Sequence, residues 1–450
     1  MSDGNLEQLA ADVVRMVKER GATASECTIA EGSQFSVNVR MGEVEKLTEA
    51  SSRGAGIRVL VGKRGGSSYT SDLTREGLAK MVDSAVGLAK FTSEDPFAGL
   101  PDPDELGTLD GDLDLFSPDV ERLETPYKIE QARLAEEVSL EADPRIVNSE
   151  GGSFGTHAGR RTFANSLGFA GSYRTTSCSI SVSPVAKSGD SMERDYWYSA
   201  ARNPARLEDA ATVGRKAAAR ALRRLNPRKV PTQRVPVIFD ARNATALAGD
   251  LFDAASGTSV YRKASFLVDR LGEIIASSLI TLIDDATLPG LFGTSPFDDE
   301  GVPSRRTVVI QDGVLKSWLL NSYSARKLGL KTTGNASRGL SGNAGVSNGN
   351  LYFSPGTQAP EEIIAGVQRG LYVTELMGSG ANIVTGDYSC GAAGLWIENG
   401  EFAFPVSEIT IAGTLQEMLP AIDAVGNDLE FRSAVASPTL RIAEMTVSGQ

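Results

Sequence analysis

The stretch "GLWIENGEFAFPVSEITIAG", residues 394–413, decides the fold class. Asn399-Gly400 separates two apolar runs, and a two-residue Asn-Gly link signals a type I′ hairpin, because both turn positions need positive φ. "VVIQDGVLKSWLL" at 308–320 repeats the device with Asp312-Gly313. Two such hairpins predict a β-rich second half of antiparallel hairpins, barrel-like or built as packed sheets. Helical spacing of apolar residues places helices within it at 243–255 and 359–370.

The first half reads differently. A helix fits 5–20 and stops at Gly21. Strand-like runs follow at 26–39, 43–50 and 53–61, the first two turning at Met41-Gly42. A helix at 73–91, an acidic, proline-rich surface loop at 94–107 and a long helix at 118–142 come next. Short strands are expected between 145 and 199, closed by a helix at 207–224. "NPRKVPTQRVP" at 226–236 looks like a linker, with Pro227, Pro231 and Pro236 stiffening it. A chain of 450 residues is also too long for one core. The expectation is therefore α+β in two domains. Residues 1–228 form an antiparallel sheet with flanking helices, and 229–450 form the β-rich domain.

Composition narrows the partners. The net charge of −12 argues against a phosphate-backbone ligand, so no nucleic acid is expected. The one basic run, "RKAAARALRRLNPRK" at 215–229, reads as a solvated helix face and its C-terminal end. No run of eighteen apolar residues occurs, so no membrane span is expected. The N-terminus has no basic-then-apolar leader. Cys27, Cys178 and Cys390 are scattered without short spacings, which fits a reducing cytoplasm.

Candidate chemistry is sparse. Zinc sites usually include histidine, and His157 stands alone in a glycine-rich strand. "FDDEG" brings Asp298, Asp299 and Glu300 together; the plain reading is an acidic turn, the sharper one a divergent hydrolytic site. Ser324-x-x-Lys327 with "KTTG" at 331–334 imitates a serine acyl-enzyme pattern but lacks its third element. Those four residues read as the exposed side of a short helix whose Tyr323 and Leu328 pack inward. "GIRVLVGK" at 56–63 is a half-buried strand rather than a phosphate loop, and "GLSGNAGVSNGN" at 339–350 a surface loop. Cys390 has no cationic neighbour in sequence and reads as buried and inert. "VIFDARNATALAGDLFDAASGTSVYRK" at 237–263 puts a helix after an apolar strand, a common mount for ligands. Yet no histidine, cysteine or carboxylate pair shares one face of it.

Longer motifs point to a family. "GLYVTELMGSGANIVTGDYSCGAAGLWIENGEFAFPVSEITIAG" (370–413) resembles the C-terminal signature of the TldD/PmbA family, also called modulators of DNA gyrase. "GTSVYRKASFL", "PFDDEGVPSRRTVVIQDGVLKSWLLNSYSARKLGLKTTGNASR", "AVGNDLEF" and, earlier, "NSLGFAG" match in the same order. The similarity spans the chain and is closest to the PmbA/TldE-type branch. It implies a subunit of a cytoplasmic metallopeptidase that acts on unfolded peptides, such as antitoxins or leader segments. The expected partner is a TldD-type subunit, in a heterodimer or larger assembly. That partner would hold zinc with His-Glu-x-x-x-His on a helix and a cysteine near its C-terminus.

Counting back from Gly257-Thr258-Ser259 puts Arg242, Asn243 and Leu247 at the zinc-motif positions, and residues 432–450 contain no cysteine. No catalytic or metal residue is carried over, and no cofactor is expected in this chain. The β-rich half suggests that peptide is held by strand addition. The candidate lining is 378–391, centred on Gly386, Asp387, Tyr388 and Ser389, with Asp387 and Tyr388 as polar contacts. The alternatives are a non-proteolytic peptide-binding scaffold acting as a homodimer, or a hydrolase with a divergent site around Asp298, Asp299 and Glu300.

Overall fold

A computed structural model describes residues 3–378 and 380–449 of the chain. It opens with α1 (Asp3–Glu19), whose Leu6, Ala10, Val13 and Val17 share one buried face. β1 (Ala24–Arg40) and β2 (Glu43–Val61) then form a long hairpin through Met41 and Gly42, with φ of 51° and 81°. β3 (Arg64–Thr70) returns along the second half of β2. The helices α2 (Arg75–Ala89), α3 (Pro118–Arg122) and α4 (Thr125–Glu141) follow. Next come β4 (Ile146–Asn165), β5 (Ala170–Ser188), β6 (Ser191–Arg194), β7 (Trp197–Ala201) and α5 (Ala210–Leu222).

These strands make one antiparallel half-barrel in the order β3-β2-β1-β4-β5-β6, with β7 also beside β5. α1 and α2 cover one end through Leu6, Val13, Leu78 and Val82 against Ile29 and Ile57. α4 and α5 cover the other through Ala132, Ala135, Val213 and Ala217 against Val37, Phe154 and Ile180.

The sequence-based boundaries need correction here in several places. The runs at 43–50 and 53–61 are one strand, because Ser51 and Ser52 keep extended geometry and their pairing with β1. The helix expected at 118–142 breaks at Leu123 and Glu124, whose ψ angles of 119° and 149° are extended. Pro126, in the first turn of α4, accounts for this: it has no N–H to bond back to Arg122 and its ring would clash with that carbonyl in a continuous helix. The acidic loop at 94–107 is a strap rather than a free loop. Arg326 of the second half donates to the carbonyls of Phe97, Gly99 and Leu100 at 2.8, 3.1 and 2.9 Å.

The second half starts with β8 (Gln233–Phe239), so the expected linker 226–236 already ends inside a strand. Pro236 is tolerated there because the ladder from β8 to the last strand slips register between Ile442 and Met445. α6 (Ala241–Ala255), α7 (Gly257–Tyr261), β9 (Leu282–Asp285), β10 (Arg306–Gln311) and β11 (Val314–Leu315) come next. They are followed by α8 (Ser322–Leu328), β12 (Ala336–Ser337), β13 (Gly345–Val346), β14 (Leu351–Phe353) and α9 (Pro360–Ala365). α9 stops short of the predicted 370, since β15 (Arg369–Met377) begins there. β16 (Asp387–Glu398), β17 (Glu401–Thr414), α10 (Leu415–Met418), β18 (Ile422–Val425), β19 (Val435–Ala436) and β20 (Leu440–Ser448) complete the chain.

Five strands close into a barrel in the order β17-β16-β15-β8-β20, with β20 pairing back onto β17. Closure removes the open edges that a sheet of this size would expose. A second sheet, β11-β10-β9-β14-β19, lies beside it. One continuous core joins the two, and α6 contributes Ala244, Leu247, Ala248, Leu251 and Ala255 to it. The α+β class and the barrel thus match expectation. The neighbours β8 and β15 run parallel, however, which no local hairpin could announce.

Candidate functional site

Helix α6 is the natural place to look, and Arg242, Asn243 and Leu247 are each engaged within the chain. Asp240 caps it, its Oδ1 accepting from the Asn243 N–H at 2.8 Å and from Asn243 Nδ2 at 2.7 Å. Leu247 is 1% exposed and faces the core. Arg242 lies over the Tyr196 ring at 4.6 Å, donates to the Thr374 carbonyl at 3.3 Å and sits 3.6 Å from Asp195.

A cavity of about 290 Å³ opens beside Arg242 and Thr245, walled by Trp197, Tyr198, Tyr372 and Arg432. Arg432 donates to the Tyr198 carbonyl at 2.9 Å and to Glu208 at 3.0 Å, with the Trp197 ring 4.3 Å away. α6 and the 428–435 segment therefore face one small cavity. Its carboxylates are already engaged. Asp428 accepts from Thr439 N and Oγ1 at 2.9 and 2.7 Å, and Glu430 pairs with Arg432 at 2.6 Å.

The basic run that reads as solvated in sequence turns inward at this seam. Arg220 lies 3.2 Å from Asp195 and 3.9 Å from Asp240. Arg224 meets Glu375 at 2.5 Å and Glu193 at 3.5 Å. Burial pushes the Glu193 carboxyl up and holds the Arg223 guanidinium below its usual range. An arginine stem covers apolar surface while its head pairs, so the helix stays amphipathic with its cations facing inward. Sequence reading missed Asp195, Tyr196, Arg220 and Arg432; the only local trace is the aromatic run at 196–198.

The candidate peptide segment lies farther along the barrel. Ser379 falls outside the described residues. Gly386 is buried against the Gln416 side chain, and β16 begins at Asp387. Asp387 and Ser389 are exposed, while Tyr388 is 2% exposed and belongs to the core. Strand alternation thus puts Asp387 and Tyr388 on opposite faces, so the two cannot touch the same ligand. Asp387 accepts from Thr385 Oγ1 at 2.6 Å. The Tyr388 hydroxyl and Asp250 Oδ2 are both buried without a hydrogen-bond partner. Burial raises the Tyr388 hydroxyl, and brings the Asp250 carboxyl up to about 6.

Asp298, Asp299 and Glu300 form a hydrogen-bonded turn from which Asp299 reaches the first half. Asp298 accepts backbone N–H from Glu300, Val302 and Ala336 at 2.9, 3.0 and 3.0 Å. Asp299 pairs with Arg161 of β4 at 2.7 Å and accepts from the Arg338 N–H at 2.8 Å. Glu300 accepts from the Ser322 N–H at 2.9 Å. Burial raises both Asp298 and Glu300, and each also feels a neighbouring carboxylate. The turn reading describes this cluster well.

Ser324 to Lys327 do not form an exposed helix side. Ser324 is fully buried, closing a reciprocal cap with Asn321, and Lys327 rests 4.1 Å from the Phe97 ring. The strap at 97–100 covers that side, which the sequence of α8 could not reveal. His157 is exposed on β4, and Cys27, Cys178 and Cys390 are buried. Burial pushes the Cys27 and Cys178 thiols up to about 12, so neither is a ready nucleophile.

Residues 232–449 match the family model described as the PmbA/TldA metallopeptidase C-terminal domain, 118–225 its central domain and 26–89 its domain 1. Over 426 residues the chain is 43% identical to metalloprotease PmbA of Escherichia coli O157:H7, spanning 95% of this chain and 92% of that one. The chain belongs to the PmbA/TldD family.

As a PmbA/TldD member, it shares its whole architecture with a candidate DNA gyrase modulator from Bacteroides thetaiotaomicron. That structure has a TM-score of 0.92 at 29% identity, over 100% of both chains. TldE from Thermococcus kodakarensis has the same fold, with a TM-score of 0.87 at 23% identity over 98% of this chain and 100% of that one. The metallopeptidase name implies a metal, and the residues here do not fit one. Arg242 is a cation beside Asp195, Asn243 is tied to the helix cap, and Leu247 is core. Among the described residues no three of His, Cys, Asp and Glu cluster as a metal site.

Proposed function

We propose that this chain is the non-catalytic, PmbA/TldE-type subunit of a cytoplasmic peptidase complex acting on unfolded peptides such as antitoxins or leader segments. One observation supports the reading: where the resemblance would place zinc ligands, α6 carries an inward-paired arginine, a cap-bonded asparagine and a core leucine. A TldD-type partner, in a heterodimer or larger assembly, holds the zinc and performs amide hydrolysis. This chain supplies part of the wall and binds substrate backbone.

The closed barrel leaves β16 paired on both sides, with β17 and with 380–382, so the peptide meets it through exposed side chains rather than by the expected strand addition. Asp387 and Ser389 stand on the outward face of β16 and meet the peptide. Tyr388 fixes the strand from inside. No helix among the described residues is long and apolar enough to cross a membrane, and the cysteines are reduced and buried; both accord with cytoplasmic work.

The test is reconstitution with a TldD-type chain and an unfolded peptide. Cleavage should appear in the mixture and in neither chain alone, and Asp387→Ala should lower it without changing the partner's zinc. A control at exposed Lys80, as Lys80→Ala, should do little. A partner that is fully active alone would overturn the reading.

A further inference from the structure

Two glycine-containing segments that are not phosphate loops on their own wall one cavity together. Residues 56–63 run from β2 into the turn before β3, and 339–345 lead from β12 into β13, so neither passes into a helix as a phosphate loop does. The cavity between the two halves measures about 660 Å³, within the range of sites for small organic ligands. Arg58, Leu60 and Lys63 line it from the first half, and Tyr261, Arg262 and residues 342–345 from the second. It shares no lining residue with the cavity beside Arg242.

Its cations are positioned without being neutralised. Arg58 and Lys63 rest on neighbouring carbonyls of the strap, with Nη1 of Arg58 at 3.5 Å from the Gly99 oxygen and Nζ of Lys63 at 2.7 Å from that of Ala98. Arg262 donates from Nε to the Tyr261 hydroxyl at 3.2 Å. Neither Lys63 nor Arg262 has an ion-pair partner among the described residues, and Arg58 shares Glu26 with Arg338. Asn343 Oδ1 accepts from Arg58 Nε at 2.9 Å and ties the loop to this group. The N–H groups of Gly342, Asn343 and Ala344 find no acceptor within the chain among the described residues. Successive free amides beginning at a left-handed glycine, with φ of 98° at Gly342, suit an anion.

Two carboxylates also reach the wall, and both are occupied. Asp95 accepts from the Phe97 N–H at 3.0 Å and from the Tyr323 hydroxyl at 2.8 Å. Glu300 accepts from the Ser322 N–H at 2.9 Å, and burial pushes its carboxyl up, toward the neutral form. Leu60 and the exposed Leu88 add an apolar flank.

We infer that this cavity binds a phosphate monoester with a compact apolar body. Arg58, Lys63, Arg262 and the 342–344 amides hold the phosphate, the guanidinium groups as forks and the ammonium as a point charge. Leu60, Leu88 and Tyr261 take the body. No peptidase partner enters this binding.

The probe is phenyl phosphate, titrated calorimetrically into the full chain. It should bind once per chain with a Kd below about 1 mM, and inorganic phosphate about tenfold more weakly, because the ring buries apolar area. Lys63→Gln and Arg262→Gln should each weaken phenyl phosphate about tenfold. Melting of the free chain should not change in either variant, since both side chains are exposed and lack ion pairs. Lys80→Gln, which removes a charge outside the cavity, should leave binding intact. Absence of saturable binding, an equal loss in Lys80→Gln, or displacement of phenyl phosphate by phenol or by an acidic peptide at lower concentration would overturn the inference.

Discussion

Glu26 on β1 and Arg338 beyond β12 meet at 2.8 Å with side chains 1% and 3% exposed, joining the half-barrel to the second half. Arg58 reaches the same oxygen at 2.8 Å. Removing Glu26 strands both guanidinium charges, so Glu26→Gln should cost about 3–5 kcal/mol in thermal melting. Arg338→Met leaves Glu26 paired with Arg58 and should cost less. Burial alone would raise the Glu26 carboxyl, but the two guanidinium groups hold it below its ordinary value. Its contribution is therefore present above the unfolded-state value near 4 and is lost as pH falls through the lowered one.

Asp250 has the opposite sign. Burial raises its carboxyl to about 6, with only the Ala381 N–H favouring the charged form. A raised folded value means that stability is fully present below the unfolded value and is lost as pH rises through 6. Asp250→Asn keeps an acceptor for Ala381 and removes the charge. It should stabilise the protein at pH 8 by about 1 kcal/mol, discounted for partial solvent access, and the gain should vanish near pH 4. Melting at both pH values checks this; equal shifts would contradict it.

Gly313 and Gly400 take φ of 80° and 81° in their hairpin turns, following Asp312 and Asn399 at 49° and 51°. An added Cβ would come within 2.3 Å of the Ala276 carbonyl oxygen at Gly313 and 2.7 Å of that of Ala365 at Gly400. Replacement by valine should cost about 1–3 kcal/mol from backbone strain, with contact worsening each. Unchanged melting for both variants would contradict the turn assignment.

Those turns were readable because a type I′ link is local: two residues and their flanks specify it. Barrel closure was not, since β8 meets β15 and β17 meets β20 across long stretches of chain. The site was legible only by elimination. Arg242, Asn243 and Leu247 declare themselves as non-ligands in sequence, whereas the inward turn of Arg220 and Arg224 depends on Asp195, Glu193 and Glu375 arriving from other elements. Tyr388 shows the same limit. Strand alternation sends it into the core, but only once the start of β16 at Asp387 is known.

Arg326 holds the 97–100 strap by three carbonyls, and Lys327 packs on Phe97 beside it. Hydrogen bonds to a charged donor are worth about 1.5–3 kcal/mol each when buried. Arg326→Ala should raise amide exchange through 94–107 well above that of β4. Exchange left as slow as in the parent would show that the strap is held by other contacts.

In the proposed non-catalytic role this chain carries no peptidase chemistry of its own. Metal analysis of the purified protein, run beside a cleavage assay on an unfolded peptide, tests it most directly. The account predicts zinc far below one equivalent and no chelator-sensitive cleavage by this chain alone. Zinc near one equivalent, with cleavage abolished by a chelator and restored by zinc, would contradict it.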